Sequence, residues 1–311
     1  MTDWVTVMGS FVADLAFRSP ELPRWGQTVM GSEFRLGPGG KGSNQAVAAA
    51  RLGGKVSFIA KLGRDPFGEL ARKTYRAEGV DTEFCFEDAG LGTGAASIVV
   101  HEGKGENAIV VVPGAGYALT PAEVDRAAGR IRASAIFVTQ LEVPVATAAR
   151  GLELAHRAGV PTIFNPAPAP RRPLPEGLLA WCDYLTPNES EAAALTGRAV
   201  ASVADAERAA DALLALGARN VVITLGERGA LVKNAELCRH VPAQDAGPVV
   251  ETTGAGDAFN GGLAIALAEG LDLVAATRLG CAVAAISVTR YGTAPAMPSR
   301  AEVDRLLAQA S

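Results

Sequence analysis

The chain has 311 residues, of which 49% are apolar, so it is long enough to bury the core of one large domain. Its net charge of −4 gives no reason to expect a nucleic acid or an anionic membrane as partner. The four cysteines form no CxxC pair and the three histidines show no metal-binding spacing, which argues against a disulfide framework and a zinc site. We expect a cytoplasmic protein with reduced cysteines, no signal peptide and no membrane span.

Short β-branched runs alternate along the chain with longer runs rich in Ala, Leu and charged residues. This alternation predicts a mainly parallel sheet with helices on both faces. The predicted strands are 4–8, 56–60, 135–139, 160–164, 184–186, 221–225 and 230–233. The predicted helices are 43–52, 67–78, 144–158, 205–216 and 257–268.

Two segments, 11–36 and 82–112, interrupt this alternation because neither contains a long helical pattern. In the second, the β-branched runs 95–101 and 108–112 flank a polar turn, which predicts a β-hairpin. The two segments either pair into a small sheet that serves as a lid or form unrelated surface hairpins.

A glycine-rich segment, 37–44, precedes the first predicted helix. It is not a P-loop, because Gly42 follows Lys41 where Ser or Thr is required. Its glycines would let the backbone approach a small polar ligand, with Lys41 and Asn44 able to bind hydroxyl groups. The alternative is a flexible turn followed by a helix cap.

Polar residues follow several predicted strands, at the edge where open α/β sheets bind ligands. Glu142 is positioned to accept hydrogen bonds from a sugar, and Asp14 lies near the start of the first interrupting segment. Asn188 and Glu191 share one helical face and form either a site for hydrated Mg²⁺ or a capping box. The stretch 224–229 fits either a nucleotide site or a tight turn.

The segment Thr252-Thr253-Gly254-Ala255-Gly256-Asp257 places a glycine turn and a carboxylate at the start of an apolar helix. A glycine turn at a helix N-terminus favours an anion such as phosphate. A carboxylate beside a bound phosphate can accept a proton from the attacking hydroxyl, which indicates a small-molecule kinase with Asp257 as base. The alternative is a carboxylate that merely stabilises a helix N-terminus.

Together these segments resemble the ribokinase/PfkB family of sugar and nucleoside kinases, most closely its ribokinase branch. The resemblance rests on segments 39–49, 165–169, 186–189, 223–226 and 254–261. It implies a three-layer α/β/α sandwich with a β-sheet lid, and a homodimer formed through that lid. The implied core is 1–10, 37–81 and 113–311, and the implied lid is 11–36 and 82–112.

The resemblance also implies a role for each matching position. Asp257 would be the catalytic base, and Gly254, Ala255 and Gly256 the anion hole. The implied sugar-binding residues are Asp14, Gly40, Lys41, Asn44, Ala96, Ile98, Glu142 and Asp257. The implied ATP-binding residues are Asn188, Thr224, Leu225, Gly226, Glu227, Arg228, Gly229, Gly256 and Cys281, with Glu191 linked to Mg²⁺. A monovalent cation, usually K⁺, would lie at Glu251, Thr253, Ser287, Arg290, Gly292 and Ala296.

Two positions depart from the ribokinase pattern. Val12 replaces an Asn that contacts ribose, and Glu251 replaces an Asp that reaches the cation. The first change predicts weaker discrimination for one sugar hydroxyl, since an unpaired polar group costs about 1–3 kcal/mol. The expected reaction is transfer of the ATP γ-phosphoryl group to a primary hydroxyl of a pentose-like sugar, D-ribose first. The alternatives are a ketohexose, a modified sugar or a nucleoside as acceptor.

Overall fold

The computed structural model describes residues 3–103 and 107–309. In this part of the chain, thirteen strands form one sheet of nine strands and one of four. In chain order the strands are β1 (Trp4–Met8), β2 (Val12–Ser19), β3 (Glu33–Gly39), β4 (Val56–Gly63), β5 (Cys85–Asp88), β6 (Gly94–His101), β7 (Asn107–Val112), β8 (Ser134–Thr139), β9 (Thr162–Phe164), β10 (Tyr184–Leu185), β11 (Asn220–Thr224), β12 (Ala230–Lys233) and β13 (Cys238–Val241).

The helices cover both faces of the nine-stranded sheet, which confirms the predicted three-layer sandwich. They are α1 (Lys41–Arg51), α2 (Pro66–Glu78), α3 (Pro121–Arg126), α4 (Ala128–Arg132), α5 (Val145–Arg157), α6 (Glu189–Thr196), α7 (Val203–Ala215), α8 (Ala255–Ala268), α9 (Leu273–Ser287) and α10 (Arg300–Gln309). One core cluster packs α1, α2, α8, α9 and α10 on one face, and a second packs α3 to α7 on the other. No helix within the described ranges is long and apolar enough to cross a bilayer.

The large sheet has the strand order β13-β12-β11-β10-β9-β8-β1-β4-β5. Strands β5 to β11 in this order pair in parallel, and β12 and β13 add an antiparallel edge. Strand β8 is almost continuously apolar and buried, as expected where helices cover both faces. Because parallel strands end at the same edge, the residues after β1, β8, β9, β10 and β11 gather there.

The small sheet has the order β3-β2-β6-β7, so the two interrupting segments pair with each other. The predicted hairpin forms between β6 and β7, while residues 104–106 of its turn lie outside the described residues. The strand pairings differ from the expected lid segments at two points. Strand β5, within 82–112, joins the large sheet by pairing with β4, and β3 continues to Gly39, beyond residue 36. The pairing of β5 with β4 and that of β3 with β2 each join segments that are separated in the sequence. The local sequence of one strand therefore does not predict its partner.

Candidate active site

A cavity of about 210 Å³ lies at the carboxyl edge of the large sheet. We call it the inner cavity; its lining includes Lys41, Asn188, Glu191, Thr224, Gly256 and Asp257. The N-termini of α6 and α8 contribute to this lining, and Lys41 begins α1. Three helix N-termini therefore direct the positive ends of their dipoles towards the cavity, where the Lys41 ammonium and the carboxylates of Glu191 and Asp257 also lie.

Helix α8 starts from Gly254, whose φ of 84° is in the left-handed region. No side chain caps this helix; Gly254, Gly256 and Asp257 at its start line the inner cavity, and the Ala255 N–H donates to Thr252 O at 3.2 Å. Asp257 is only 5% exposed. Its carboxylate accepts hydrogen bonds from Asn44 Nδ2 at 2.9 Å and from Gln45 Nε2 at 3.2 Å. Burial raises the pKa of Asp257, while Lys41 and these two donors oppose the rise.

Helix α1 also starts from a glycine, Gly40, with φ 90° and no side-chain cap. A Cβ on Gly40 would lie 2.7 Å from Val12 N, so a larger residue does not fit. The Lys41 N–H donates to Glu142 Oε2 at 2.8 Å, and the Ser10 hydroxyl donates to the same oxygen. Glu142, which follows β8, therefore accepts a hydrogen bond from the N–H group of the first residue of α1.

The Lys41 ammonium lies among carboxylates. Burial lowers the pKa of Lys41, but Asp257, Glu142 and Glu191 raise it by a larger combined amount. Lys41 therefore stays protonated and places a positive charge in the inner cavity.

A buried chain of amides supports Asp257 and was not predicted from the sequence. Gln140 Nε2 donates to Gln45 Oε1 at 2.5 Å, and Gln45 Nε2 donates to Asp257 and, at 3.4 Å, to Asn165 Oδ1. A second buried path joins Thr186 to Asn260 Oδ1 at 2.6 Å, and Asn260 to Gly256 O at 2.8 Å. The available signal was the polar run 43–45 in a helix otherwise rich in Ala and Val.

A second cavity, of about 480 Å³, lies between the small sheet and the segments 249–253 and 291–295. We call it the outer cavity; its lining includes Asp14, Arg18, Arg35, Ile98, Glu251 and Tyr291. Thr252 lines both cavities, so they adjoin. Burial raises the pKa of Asp14 to about 6, helped by the charges of Glu142, Glu251 and Asp257 and opposed by a hydrogen bond from Thr293.

Of the other residues expected to bind sugar, Ala96 and Ile98 lie on β6, next to β2. They form a small buried apolar cluster with Val12. Val12 and Asp14 are alternate residues of β2 and therefore share one face of the small sheet. This face is the one that borders the outer cavity.

The residues expected to bind nucleotide and Mg²⁺ are partly engaged in local structure. Asn188 and Glu191 form a capping box at the start of α6, yet both line the inner cavity, and burial raises the pKa of Glu191. Of the stretch 224–229, only Thr224 is among the described residues that line this cavity. Leu225 packs into the core, Arg228 pairs with Glu189 at 2.7 Å, and Cys281 is buried in α9.

The segments expected to hold a monovalent cation are adjacent. Val250 and Glu251 both donate their N–H groups to Val288 O, at 2.7 and 3.1 Å, and Gly292 N–H donates to Glu251 Oε2 at 2.9 Å. Thr253 lines the outer cavity, and Ala296 lies in the buried turn Ala294–Ala296. The other two side chains point elsewhere: Ser287 Oγ donates to Ala284 O, and Arg290 pairs with Glu302 at 2.5 Å.

The oxygen-rich linings fit hard cations better than soft ones. Asn188, Glu191 and Asp257 offer amide and carboxylate oxygens beside the glycine turn at 254–256, which suits Mg²⁺. Within the described residues, no group of three or more His, Cys, Asp and Glu side chains could hold a metal. A cation would therefore depend on carbonyl, phosphate or water oxygens as well.

Comparisons with known proteins find relatives that match nearly the whole chain. The pattern of the pfkB family carbohydrate kinases matches residues 3–300. The chain is 39% identical to ribokinase from Mus musculus, covering 96% of this chain and 93% of that protein. It is 36% identical to deoxyribokinase from Salmonella typhi, covering 95% of each. Its fold is similar to that of Arabidopsis thaliana ribokinase complexed with ribose and ATP, at a TM-score of 0.93, 30% identity and 99% coverage of both chains.

Proposed function

Because the chain belongs to the pfkB family of carbohydrate kinases, we propose that it transfers the γ-phosphoryl group of ATP to a primary hydroxyl of D-ribose, giving ribose 5-phosphate. One observation carries this proposal: Asp257 lies buried on the uncapped first turn of α8, beside the Lys41 ammonium. A base, an anion-binding turn and a fixed cation are the groups that phosphoryl transfer requires. The ribose- and ATP-bound relative supports the choice of both substrates.

In this mechanism Asp257 accepts the proton of the attacking hydroxyl. Its ionised form takes part, and the amides of Asn44 and Gln45 hold the carboxylate in position. Gly254, Ala255 and Gly256 would supply N–H groups to the transferred phosphoryl group, where negative charge develops, with the Ala255 N–H leaving its bond to Thr252 O. Lys41 adds positive charge at the same place.

We propose that the sugar lies between the two cavities, where Asp14, Gly40, Lys41, Asn44 and Glu142 can reach its hydroxyl groups. Ala96 and Ile98 on β6 would cover it. The adjoining of the cavities through Thr252 supports this placement.

The nucleotide phosphates would lie in the inner cavity against Asn188, Thr224 and Gly256, with the stretch 225–229 and Cys281 near the rest of ATP. Mg²⁺ would be held through water by Asn188 and Glu191 and would neutralise phosphate charge. A monovalent cation such as K⁺ would lie near Glu251, Thr253 and Gly292, with carbonyl groups of Ser287, Arg290 and Ala296. The test of this cation site compares kcat in KCl with kcat in a salt of a large organic cation at the same concentration. We expect kcat to be higher in KCl.

We propose a homodimer that forms through the outward face of the small sheet. The ring centroids of Phe17 and Phe34 lie 4.9 Å apart on this face. Leu36, Val110 and Val112 lie on the same face, and all five side chains are exposed. A contiguous apolar face of this kind is typical of a contact surface. Light scattering of the wild type and of Phe34→Glu tests the dimer. We expect the wild type to be dimeric and the variant monomeric.

The cytoplasmic location stays a prediction and is supported by four free cysteines, all within the described residues.

The experiment that tests the main proposal measures ATP consumption with D-ribose, 2-deoxyribose, fructose, other sugars and nucleosides in the presence of Mg²⁺. We expect D-ribose to give the highest kcat/KM. Turnover of a different sugar alone would keep the phosphoryl-transfer chemistry and reject ribose, whereas ATP binding without turnover of any acceptor would reject the kinase.

Val12 favours one second candidate, a modified pentose such as 2-deoxyribose. This side chain is apolar, 5% exposed and on the same face of β2 as Asp14, so it offers no hydrogen bond to a sugar hydroxyl. The deoxyribokinase relative at 36% identity supports including this sugar. Val12→Asn should raise the preference for ribose over 2-deoxyribose if this wall contacts the sugar.

A further inference from the structure

Thr293 contacts the small sheet from a turn of the core. Its Oγ1 lies 3.1 Å from Asp14 Oδ2 and 3.0 Å from the carbonyl oxygen of Pro38, and the residue is only 5% exposed. Asp14 and Pro38 belong to the paired strands β2 and β3. A single hydroxyl therefore joins both strands to a segment more than 250 residues away in sequence.

The carboxylate of Asp14 is held from two sides. The Cα of Gly39 lies so close to it that a Cβ at this position would overlap the carboxylate. Thr293 provides the hydrogen bond on the other side. The hydroxyl has one proton for two acceptors, the Asp14 carboxylate and the Pro38 carbonyl oxygen, and when that proton is directed at Asp14 it limits the rotation of the ionised carboxylate.

Thr293 also packs against the start of α8. A Cβ on Gly254 would lie 3.3 Å from Thr293 Cβ, so the Thr293 side chain adjoins the glycine from which the helix carrying Asp257 begins. The same residue thus contacts both the Asp14 carboxylate and the glycine turn that faces the inner cavity.

We propose that Thr293 is a positioning residue that fixes the orientation of the Asp14 carboxylate for sugar binding. This inference rests on the proposed function, in which Asp14 contacts the sugar. Loss of the hydroxyl removes the hydrogen-bond donor to Asp14, and Thr293→Val also keeps the Cγ2 methyl group that packs on Gly254, so the start of α8 stays in place in that variant. The KM for the sugar should therefore change more than kcat or the KM for ATP.

The test compares Thr293→Val and Thr293→Ala, which lack the hydroxyl, with Thr293→Ser, which retains it. We expect both hydroxyl-free variants to raise the sugar KM about 3- to 10-fold, the effect of losing one hydrogen bond. Thr293→Ser should stay close to the wild type, and the KM for ATP should be unchanged in all three. Thr74→Val is the matched control, because Thr74 donates its hydroxyl to Leu70 O within α2.

A second measurement is the pH dependence of kcat/KM for the sugar. The Thr293 hydrogen bond lowers the pKa of Asp14, so its loss should move the acidic limb of the profile to higher pH. Glu142, Glu251 and Asp257 also act on Asp14 but are the same in every variant. An unchanged sugar KM in a folded Thr293→Val or Thr293→Ala protein would overturn the inference, as would equal changes in the sugar and ATP KM values. Failure of the wild type to phosphorylate any sugar would instead reject the proposed function.

Discussion

The two cavities hold their carboxylates in different ways. In the inner cavity, Asp257 on α8 is held by Asn44 and Gln45 of α1, and these two helices pack directly against each other in the core. In the outer cavity, Asp14 lies on the small sheet and is held by Thr293 from the core. The first arrangement depends on packing within one layer, and the second on contact between two separate sheets. We therefore expect changes in the inner cavity to lower kcat and changes in the outer cavity to raise the sugar KM.

Asp257→Asn should have the largest effect. Removing a general base lowers kcat by about 10²- to 10⁴-fold, while the sugar KM should change little. The measurement is ATP consumption under saturating sugar. Asp205→Asn is the control, because Asp205 also lies on the first turn of a helix but is only partly buried, at the surface with Ser202 and Arg208. Equal activity of the two variants would mean that Asp257 only stabilises its helix.

Lys41→Met should lower kcat by about 10- to 150-fold, the range for losing a charged hydrogen-bonding group. Lys41 also lowers the pKa of Asp257, so the acidic limb of the kcat profile should move to higher pH. Lys233→Met is the control, since Lys233 also pairs with two carboxylates, Glu207 and Asp211, but on β12. An acidic limb that does not shift in Lys41→Met would mean that Lys41 does not act on the pKa of the base, Asp257.

Asp14→Asn tests the outer cavity and should raise the sugar KM about 10-fold or more, with a smaller effect on kcat. It should also stabilise the sugar-free protein at pH 8. Asp14 has a pKa of about 6 when folded and an ordinary value of 3.8 when unfolded, so its ionisation lowers the stability as the pH rises from 3.8 to about 6. The gain in Tm should be present at pH 8 and absent near pH 4. A gain that is the same at both values would contradict this assignment.

Gln45→Met should have the smallest effect, about 2- to 12-fold on kcat, because one hydrogen bond to Asp257 is lost. Its bond lowers the pKa of Asp257, so the loss of activity should be greater at pH 6 than at pH 8. Gln27→Met is the control, because it removes an exposed amide that donates to Glu21. It should leave kcat unchanged at both pH 6 and pH 8. A pH-independent loss would indicate a packing defect instead.

The same contrast explains what the sequence predicted. The alternation of strands and helices, the hairpin of β6 and β7 and the glycine turns at 40 and 254 are local patterns, and the structure has them all, whereas the sequence left open whether the two interrupting segments pair. The pairing of β5 with β4 was not predicted, nor were the Thr293 contact and the amide chain through Gln45. Each joins residues far apart in sequence, and no spacing rule connects them. Glu142 was predicted to face a ligand. The hydrogen bond that its carboxylate accepts from the Lys41 N–H was not predicted, because it depends on the packing of the end of β8 against the start of α1.

The amide chain below Asp257 has a consequence for protein engineering. An ionised carboxylate accepts only, so it fixes the orientation of Gln45, and Gln45 in turn fixes that of Gln140. This orientation leaves Gln140 Oε1 and Asn44 Oδ1 buried without a hydrogen-bond partner among the described residues. Directed evolution that selects for heat resistance alone should therefore replace these amides with apolar side chains early. The resulting proteins would survive heating better and turn over more slowly, so such a selection needs an activity screen in every round.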